Sequence, residues 1–142
     1  MSEIEQIKKE NNELLENFKK WLQETGLSEK TINSHVNNAK FFINEFLVYE
    51  EAIPASEGGL HISMFLGYWF IKKAMWASPA EIKANAASLK KFYTFLQKSG
   101  TIEEKELEDI TKTIKEEMPD WIATIKRYDD PDITEMEEVW DL

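Results

Sequence analysis

The chain has 142 residues, of which 42% are hydrophobic and 12% aromatic, so it is long and apolar enough for one folded domain with a core. It contains no cysteine, which excludes a disulfide scaffold and thiolate chemistry. The net charge of −10 comes from the last third, because residues 101–142 hold fifteen acids against five bases, whereas residues 28–100 hold six acids against eight lysines. This asymmetry predicts an acidic tail on a mildly basic body.

Helical patterns run along the whole chain, and no stretch alternates as a β-strand does, so the predicted fold class is all-α. No apolar run approaches the roughly 18 residues of a membrane span. The acidic start at Met1-Ser2-Glu3 is unlike a signal peptide. We therefore expect a soluble, cytoplasmic protein with no membrane partner.

Two serines mark the starts of the first two predicted helices. Ser2 opens a capping box, and the helix that follows ends at Gly26. Its heptad-like apolar spacing is typical of the core face of an amphipathic helix, with a short coiled coil as the alternative. Ser28 caps a second helix that reaches about Tyr49. Its inner face carries Ile32, Val36, Ala39, Ile43 and Phe46, and its outer face carries Lys30, Asn33, Ser34, Asn37, Asn38 and Lys40.

A loop from Ile53 to Gly59 leads into a third predicted helix, from His61 to about Trp76. This helix is apolar on nearly all sides, so we expect it to be the most buried one. Gly67 in its middle indicates that another backbone comes close there.

The helix between Ser78 and Gly100 has the clearest signals and is the predicted centre of the fold. Ser78 caps it, Pro79 occupies the first turn, and Gly100 supplies the left-handed residue at its end. One face is apolar, with Ile82, Ala86, Leu89, Phe92, Tyr93 and Leu96. The opposite face carries Lys83, Lys90, Lys91, Thr94 and Lys98.

A capping box at Thr101 predicts a further helix to about Met118, which Pro119-Asp120 should break. A short helix and an acidic stretch to Leu142 follow. The predicted organisation is therefore a helical domain over residues 1–118 and an acidic C-terminal extension over residues 119–142.

Catalytic chemistry finds little support in the residues. His35 and His61 fall in different predicted helices, with no partner at metal-ligand or acid–base spacing. No glycine-rich phosphate loop is present. We expect no catalytic residue, no metal and no cofactor, with a metabolic enzyme as a minor alternative.

Several segments together resemble the core-binding domain of tyrosine recombinases and phage integrases, over roughly residues 14 to 102. They are Phe18-x-x-Trp21-Leu22, Gly26-Leu27-Ser28-x-x-Thr31-Ile32, Phe42 with Phe46-Leu47, Ile82, Leu89-Lys90-Lys91-Phe92-Tyr93-x-Phe95-Leu96 and Gly100-x-Ile102. The resemblance implies a SAM-like orthogonal bundle of four to five helices that clamps duplex DNA with its second and fourth helices. It also implies DNA contacts by Lys30, Asn33, Asn37, Lys40, Lys83, Lys90 and Lys91.

The chain departs from that family in its arginines. Recombinases of this kind need at least two arginines and a nucleophilic tyrosine in a separate catalytic domain, and this chain has Arg127 alone.

Two hypotheses about the function follow. The first is a non-catalytic, double-stranded DNA-binding domain that relies on phosphate contacts, which its own acidic tail could cover. The alternative is a protein–protein interaction module that uses the acidic C-terminal region with Trp121, Tyr128 and Trp140.

Overall fold

The computed structural model describes residues 2–128, and this range forms a helical bundle without β-strands, which confirms the all-α expectation. The α-helices are α1 (Glu3–Glu24), α2 (Glu29–Phe41), α3 (Ile62–Met64), α4 (Phe70–Lys73), α5 (Pro79–Lys98) and α6 (Glu104–Tyr128). Two π-helical turns, Phe42–Phe46 and Phe65–Trp69, extend α2 and join α3 to α4, and a 3₁₀ helix spans Ala55–His61. The predicted acidic stretch beyond residue 128 lies outside the described residues.

Serine side chains cap the three helices for which the sequence predicts them. The Oγ atom of Ser2 accepts from the Glu5 amide at 3.1 Å, and that of Ser28 accepts from the Thr31 amide at 3.2 Å. Ser78 Oγ accepts from the Glu81 amide at 3.1 Å. Each cap satisfies a backbone donor that has no partner inside its helix, which stabilises the helix by about 1 kcal/mol.

The end of α5 is fixed by Gly100, whose φ of 81° is left-handed. The Gly100 amide donates to the Gln97 carbonyl at 3.0 Å, and the Thr101 amide donates to the Leu96 carbonyl at 2.8 Å. These two bonds are the Schellman pattern. Thr101 therefore closes α5 and does not open the next helix, so the predicted capping box at Thr101 is wrong and α6 begins at Glu104.

The third predicted helix is shorter than expected and less regular. It begins at Ile62 and ends at Lys73, because Ala74 is extended with ψ 119°. The chain must leave the helix before Ser78, which is itself extended and precedes Pro79. Met75 and Trp76 consequently lie in the short connection to α5 and not in a helix. The predicted loop before it contains the 3₁₀ helix.

The core forms around α5, which packs against both α2 and α6. Its six predicted core residues are at most 2% exposed. Burial raises the pKa of Tyr93, whose hydroxyl donates to the Ala55 carbonyl at 2.8 Å. Added to Gly58, a Cβ would collide with that hydroxyl, so a glycine is needed where the 3₁₀ helix meets α5. The apolar face of α1 also joins this core, which confirms its interpretation as a core face.

The helix α6 continues through Pro119, so the predicted break there is wrong. Trp121 and Ile125, beyond the proline, are 3% and 1% exposed and belong to the same core as the rest of the bundle. Burial of these two side chains holds the helix together where the proline removes a hydrogen bond. The predicted boundary after residue 118 thus falls inside one helix.

The sequence predicts that another backbone comes close to Gly67. In the structure it is the side chain of Trp121 that approaches this glycine.

Candidate nucleic-acid interface

The two helices that carry the predicted DNA contacts, α2 and α5, pack side by side in antiparallel directions. Asn38 Nδ2 on α2 donates to Ser88 Oγ on α5 at 3.0 Å. Further along α2, the ring of Phe41 lies 5.3 Å from that of Trp76, which precedes α5. The end of α2 therefore lies near the start of α5, so the two helices run in opposite directions.

His35 lies in the seam between these helices. Its Nδ1 atom is 2.8 Å from Ser88 Oγ, and Ser88 is 1% exposed. Burial, and secondarily the positive charge of Lys91, lowers the pKa of His35 from its usual value. Asn38 donates to Ser88 Oγ, which leaves the hydroxyl hydrogen for His35 Nδ1, and a neutral imidazole can accept it. The buried Ser88 hydroxyl joins two helices and is not exposed to a substrate.

All seven predicted contact residues lie at or near the surface. Lys30, Asn33, Asn37 and Lys40 are exposed and share one stripe of α2, because their spacing is three and four residues. Lys83 and Lys90 are exposed on α5, and Lys91 is half-buried beside His35.

The seven residues do not converge on one point. Ser88 marks the side of α5 that meets α2, and Lys83 and Lys90 lie roughly 140° and 160° around the helix from it, at 100° per residue. Only Lys91 lies close to the seam. The arrangement is a broad face with lysines at its two margins and the residues of the seam between them, which suits an extended polyanion better than a small ligand.

Charge is segregated between the helices. Together α2 and α5 carry six lysines against Glu29 and Glu81, a net charge of +4, and both glutamates are in first turns. In contrast, α1 has six acids against four lysines and α6 has seven acids against five bases, a net charge of −2 each. Within residues 2–128 the one salt bridge joins Lys105 to Asp109, so the six lysines are unpaired there. We call this surface the α2–α5 face.

An acidic cleft lies on another side of the molecule, between α6 and residues 51–63. It has a volume of about 790 Å³, and its lining includes six carboxylates, those of Glu3, Glu51, Glu57, Glu106, Asp109 and Glu117. A polyanion would be repelled from this side, so the charge distribution orients such a ligand toward the α2–α5 face.

The sequence analysis missed a row of four aromatic rings next to this face. Consecutive ring centroids are 5.6 Å apart from Tyr49 to Trp69, 5.7 Å from Trp69 to Phe41 and 5.3 Å from Phe41 to Trp76. We call these four residues the aromatic ridge. Its two end rings, Tyr49 and Trp76, are 58% and 54% exposed. The Ser78 cap could have revealed it, because a capped start there places Trp76 in a connection between helices.

Lysines and an unsatisfied donor accompany the aromatic ridge. Lys73 Nζ lies 5.7 Å from the centre of the Tyr49 ring, and Lys40 precedes Phe41 in the chain. The indole Nε1 of Trp69 is buried and has no hydrogen-bond partner among the described residues. Buried donors without a partner are uncommon, and they call for an explanation.

Three further observations concern the other expectations. Trp121 is buried, so it cannot belong to the protein-binding surface of the alternative hypothesis, and Trp140 lies outside the described residues. Across residues 2–128, no group of three histidine or carboxylate side chains is arranged to hold a metal ion. None of the helices in this range is long and apolar enough to cross a bilayer.

Comparisons with protein-family models, with curated proteins and with solved structures find no match to this chain. The candidate interface therefore depends on its own geometry and charge.

Proposed function

We propose that this chain is a non-catalytic DNA-binding domain whose α2–α5 face contacts the phosphates of a duplex. The observation that carries the proposal is the net charge of +4 on two adjacent helices of a chain whose total charge is −10. The contrast comes from the acids, because α2 and α5 hold two glutamates, whereas α1 and α6 hold thirteen acids against nine bases. The proposal includes a cytoplasmic location.

Lysine chemistry sets the mode of binding. Arg127 is the only arginine, and it lies in the last turn of α6 and not on α2 or α5. Lysine contacts phosphate as a point charge and lacks the planar fork with which arginine reads guanine. We therefore propose binding of low sequence specificity, dominated by phosphates and weakened by salt. Asn33 and Asn37, exposed on α2, are the side chains able to read an adenine edge.

A titration with a labelled 20-base-pair blunt duplex at low and at physiological salt tests the proposal. The triple variant Lys83→Glu, Lys90→Glu, Lys91→Glu should lose binding. The matched control is Lys8→Glu, Lys9→Glu, Lys20→Glu on α1, which changes the net charge equally at exposed positions. The control should retain most of the affinity.

Two results would overturn the proposal. Equal losses in both triple variants would mean that only the total charge matters and not the α2–α5 face. If neither the full chain nor a chain that ends at Tyr128 binds the duplex at low salt, DNA binding is rejected. The search would then turn to a protein partner for residues 129–142.

A further inference from the structure

We infer that the aromatic ridge is a stacking site for unpaired bases, so that the preferred ligand is DNA in which a duplex continues into a single strand. The inference builds on the proposed function, because it adds a second surface beside the α2–α5 face. It concerns the exposed rings of Trp76 and Tyr49 and the lysines around them.

Exposure is the first argument. Trp76 is 54% exposed and Met75 beside it is 99% exposed, in a connection of five residues between α4 and α5. Large apolar side chains that protrude together from a surface mark a site of contact. The Trp76 ring is held at its inner side by edge contacts to Phe41 and Phe70, at 5.3 Å and 6.2 Å. A ring that is fixed on one side and open on the other loses little freedom when a base stacks on it.

Charge selects the partner. Lys72 and Lys73 end α4, four and three residues before Trp76, and Lys73 Nζ is 5.7 Å from the Tyr49 ring centre. An exposed ring with a cation beside it fits a single strand, in which each base offers a π-face and each linkage a phosphate. Glu45 and Glu50 near the Tyr49 end oppose a strand there. The strand is therefore expected to enter at Trp76.

The aromatic ridge is continuous with the α2–α5 face, and this continuity indicates where a bound duplex would meet the ridge. Lys40 belongs to the polar stripe of α2, and the next residue, Phe41, contacts Trp76. A duplex bound along α2 would thus have one end near the ridge, and a single strand that continues from that end would meet Trp76. Bases inside a duplex hide their faces from a protein ring, so only unpaired bases can use this ridge. The unpaired indole donor of Trp69 lies in the same ridge, an unsatisfied group of the kind found at binding sites.

The experiment compares a labelled 15-nucleotide oligo-dT, a blunt duplex and a duplex with a 3′ or 5′ oligo-dT overhang, each titrated against the full chain. The wild type should bind the overhang duplex more tightly than the blunt one. Trp76→Ala should weaken overhang and single-strand binding by about five- to a hundredfold and leave blunt-duplex binding within about twofold. Trp76→Phe should restore most of the loss. Leu60→Ala, which removes a 93% exposed apolar side chain outside the ridge, should change little.

Tyr49→Ala removes the other exposed ring and provides a second test if Trp76→Ala loosens the fold, which circular dichroism reports. Blunt-duplex binding without any preference for the overhang would overturn the stacking site and leave the proposed function standing. Absence of binding to every oligonucleotide would reject both. A synthetic peptide of residues 129–142 that binds in a Trp76-dependent way, when oligo-dT does not, would assign the ridge to an acidic peptide and overturn the inference.

Discussion

The indole of Trp121 packs on the backbone at Gly67. A Cβ placed on Gly67 would lie 2.8 Å from Trp121 Cδ1 and 3.0 Å from Nε1. The glycine therefore serves a close crossing between α6 and the π-helical turn Phe65–Trp69. This contact fixes the second half of α6 to the segment that also carries Trp69 of the aromatic ridge.

Gly67→Ala should lower the free energy of unfolding by about 1–2 kcal/mol. Overpacking against a buried ring costs about 1–3 kcal/mol, and replacing a helical glycine by alanine recovers up to about 1 kcal/mol. Urea denaturation measures the change. In a Trp121→Leu background the same substitution should be neutral or stabilising, since the obstructing ring is gone. An equal loss in both backgrounds would disprove the crossing.

Asn11→Ala should lower the free energy of unfolding by about 1–3 kcal/mol. Asn11 is 2% exposed, and its Nδ2 atom donates to the Ile43 carbonyl at 3.1 Å and to Asn44 Oδ1 at 2.9 Å. Removal of this amide leaves two buried acceptors without their donor. The neighbouring Asn12→Ala is the matched control, because Asn12 only accepts a longer bond of 3.4 Å from Asn44. Thermal melts of the two variants should differ clearly, and similar melts would count against the buried bridge.

Stability should fall as the pH drops below about 6.5, the ordinary pKa of histidine. The folded chain lowers the pKa of His35 by burial and by Lys91, so the unfolded chain binds the proton more readily between the lowered value and 6.5. Stability is therefore fully present above 6.5 and is lost as the pH falls toward the folded-state pKa.

The variant His35→Gln removes this part of the pH dependence, which urea melts at several pH values report. Asn38→Ala removes the other hydrogen bond to Ser88 and leaves His35 in place, so it should keep the pH dependence. If His35→Gln showed the same slope as the wild type, the seam histidine would not be the group responsible.

Salt should weaken duplex binding with a log–log slope of about −4 to −5, on the basis of about 0.9 per phosphate contact and five lysine contacts. These lysines are Lys30, Lys40, Lys83, Lys90 and Lys91. Lys90→Gln should reduce the magnitude of the slope by about 1 and weaken binding similarly for different sequences. A slope near zero would mean that phosphates do not dominate.

Local signals allowed α5 to be predicted almost residue by residue. Ser78, Pro79 and Gly100 act through bonds to their own neighbours, so their effect is visible without the rest of the fold. The exposure of Lys83 and Lys90 followed from the same helical spacing, because a buried face implies an opposite one.

Features that depend on distant contacts were missed. Pro119 reads locally as a helix break, but burial of Trp121 in a core built from other segments overrides it. The link of His35 to Ser88 joins residues 53 apart in sequence, and nothing local to either indicates it. The aromatic ridge likewise combines α2, the segment after it, the π-helical turn Phe65–Trp69 and the connection before α5. Only the packing of these segments reveals it.

The proline in α6 also has a consequence for the order in which backbone amides open. Pro119 carries no amide hydrogen, so the hydrogen-bond ladder of α6 lacks one i→i−4 bond at this residue. Residues 120–128 form the end of α6 beyond this missing bond, and their amides should exchange with deuterium sooner than those of α5, although Trp121 and Ile125 are buried.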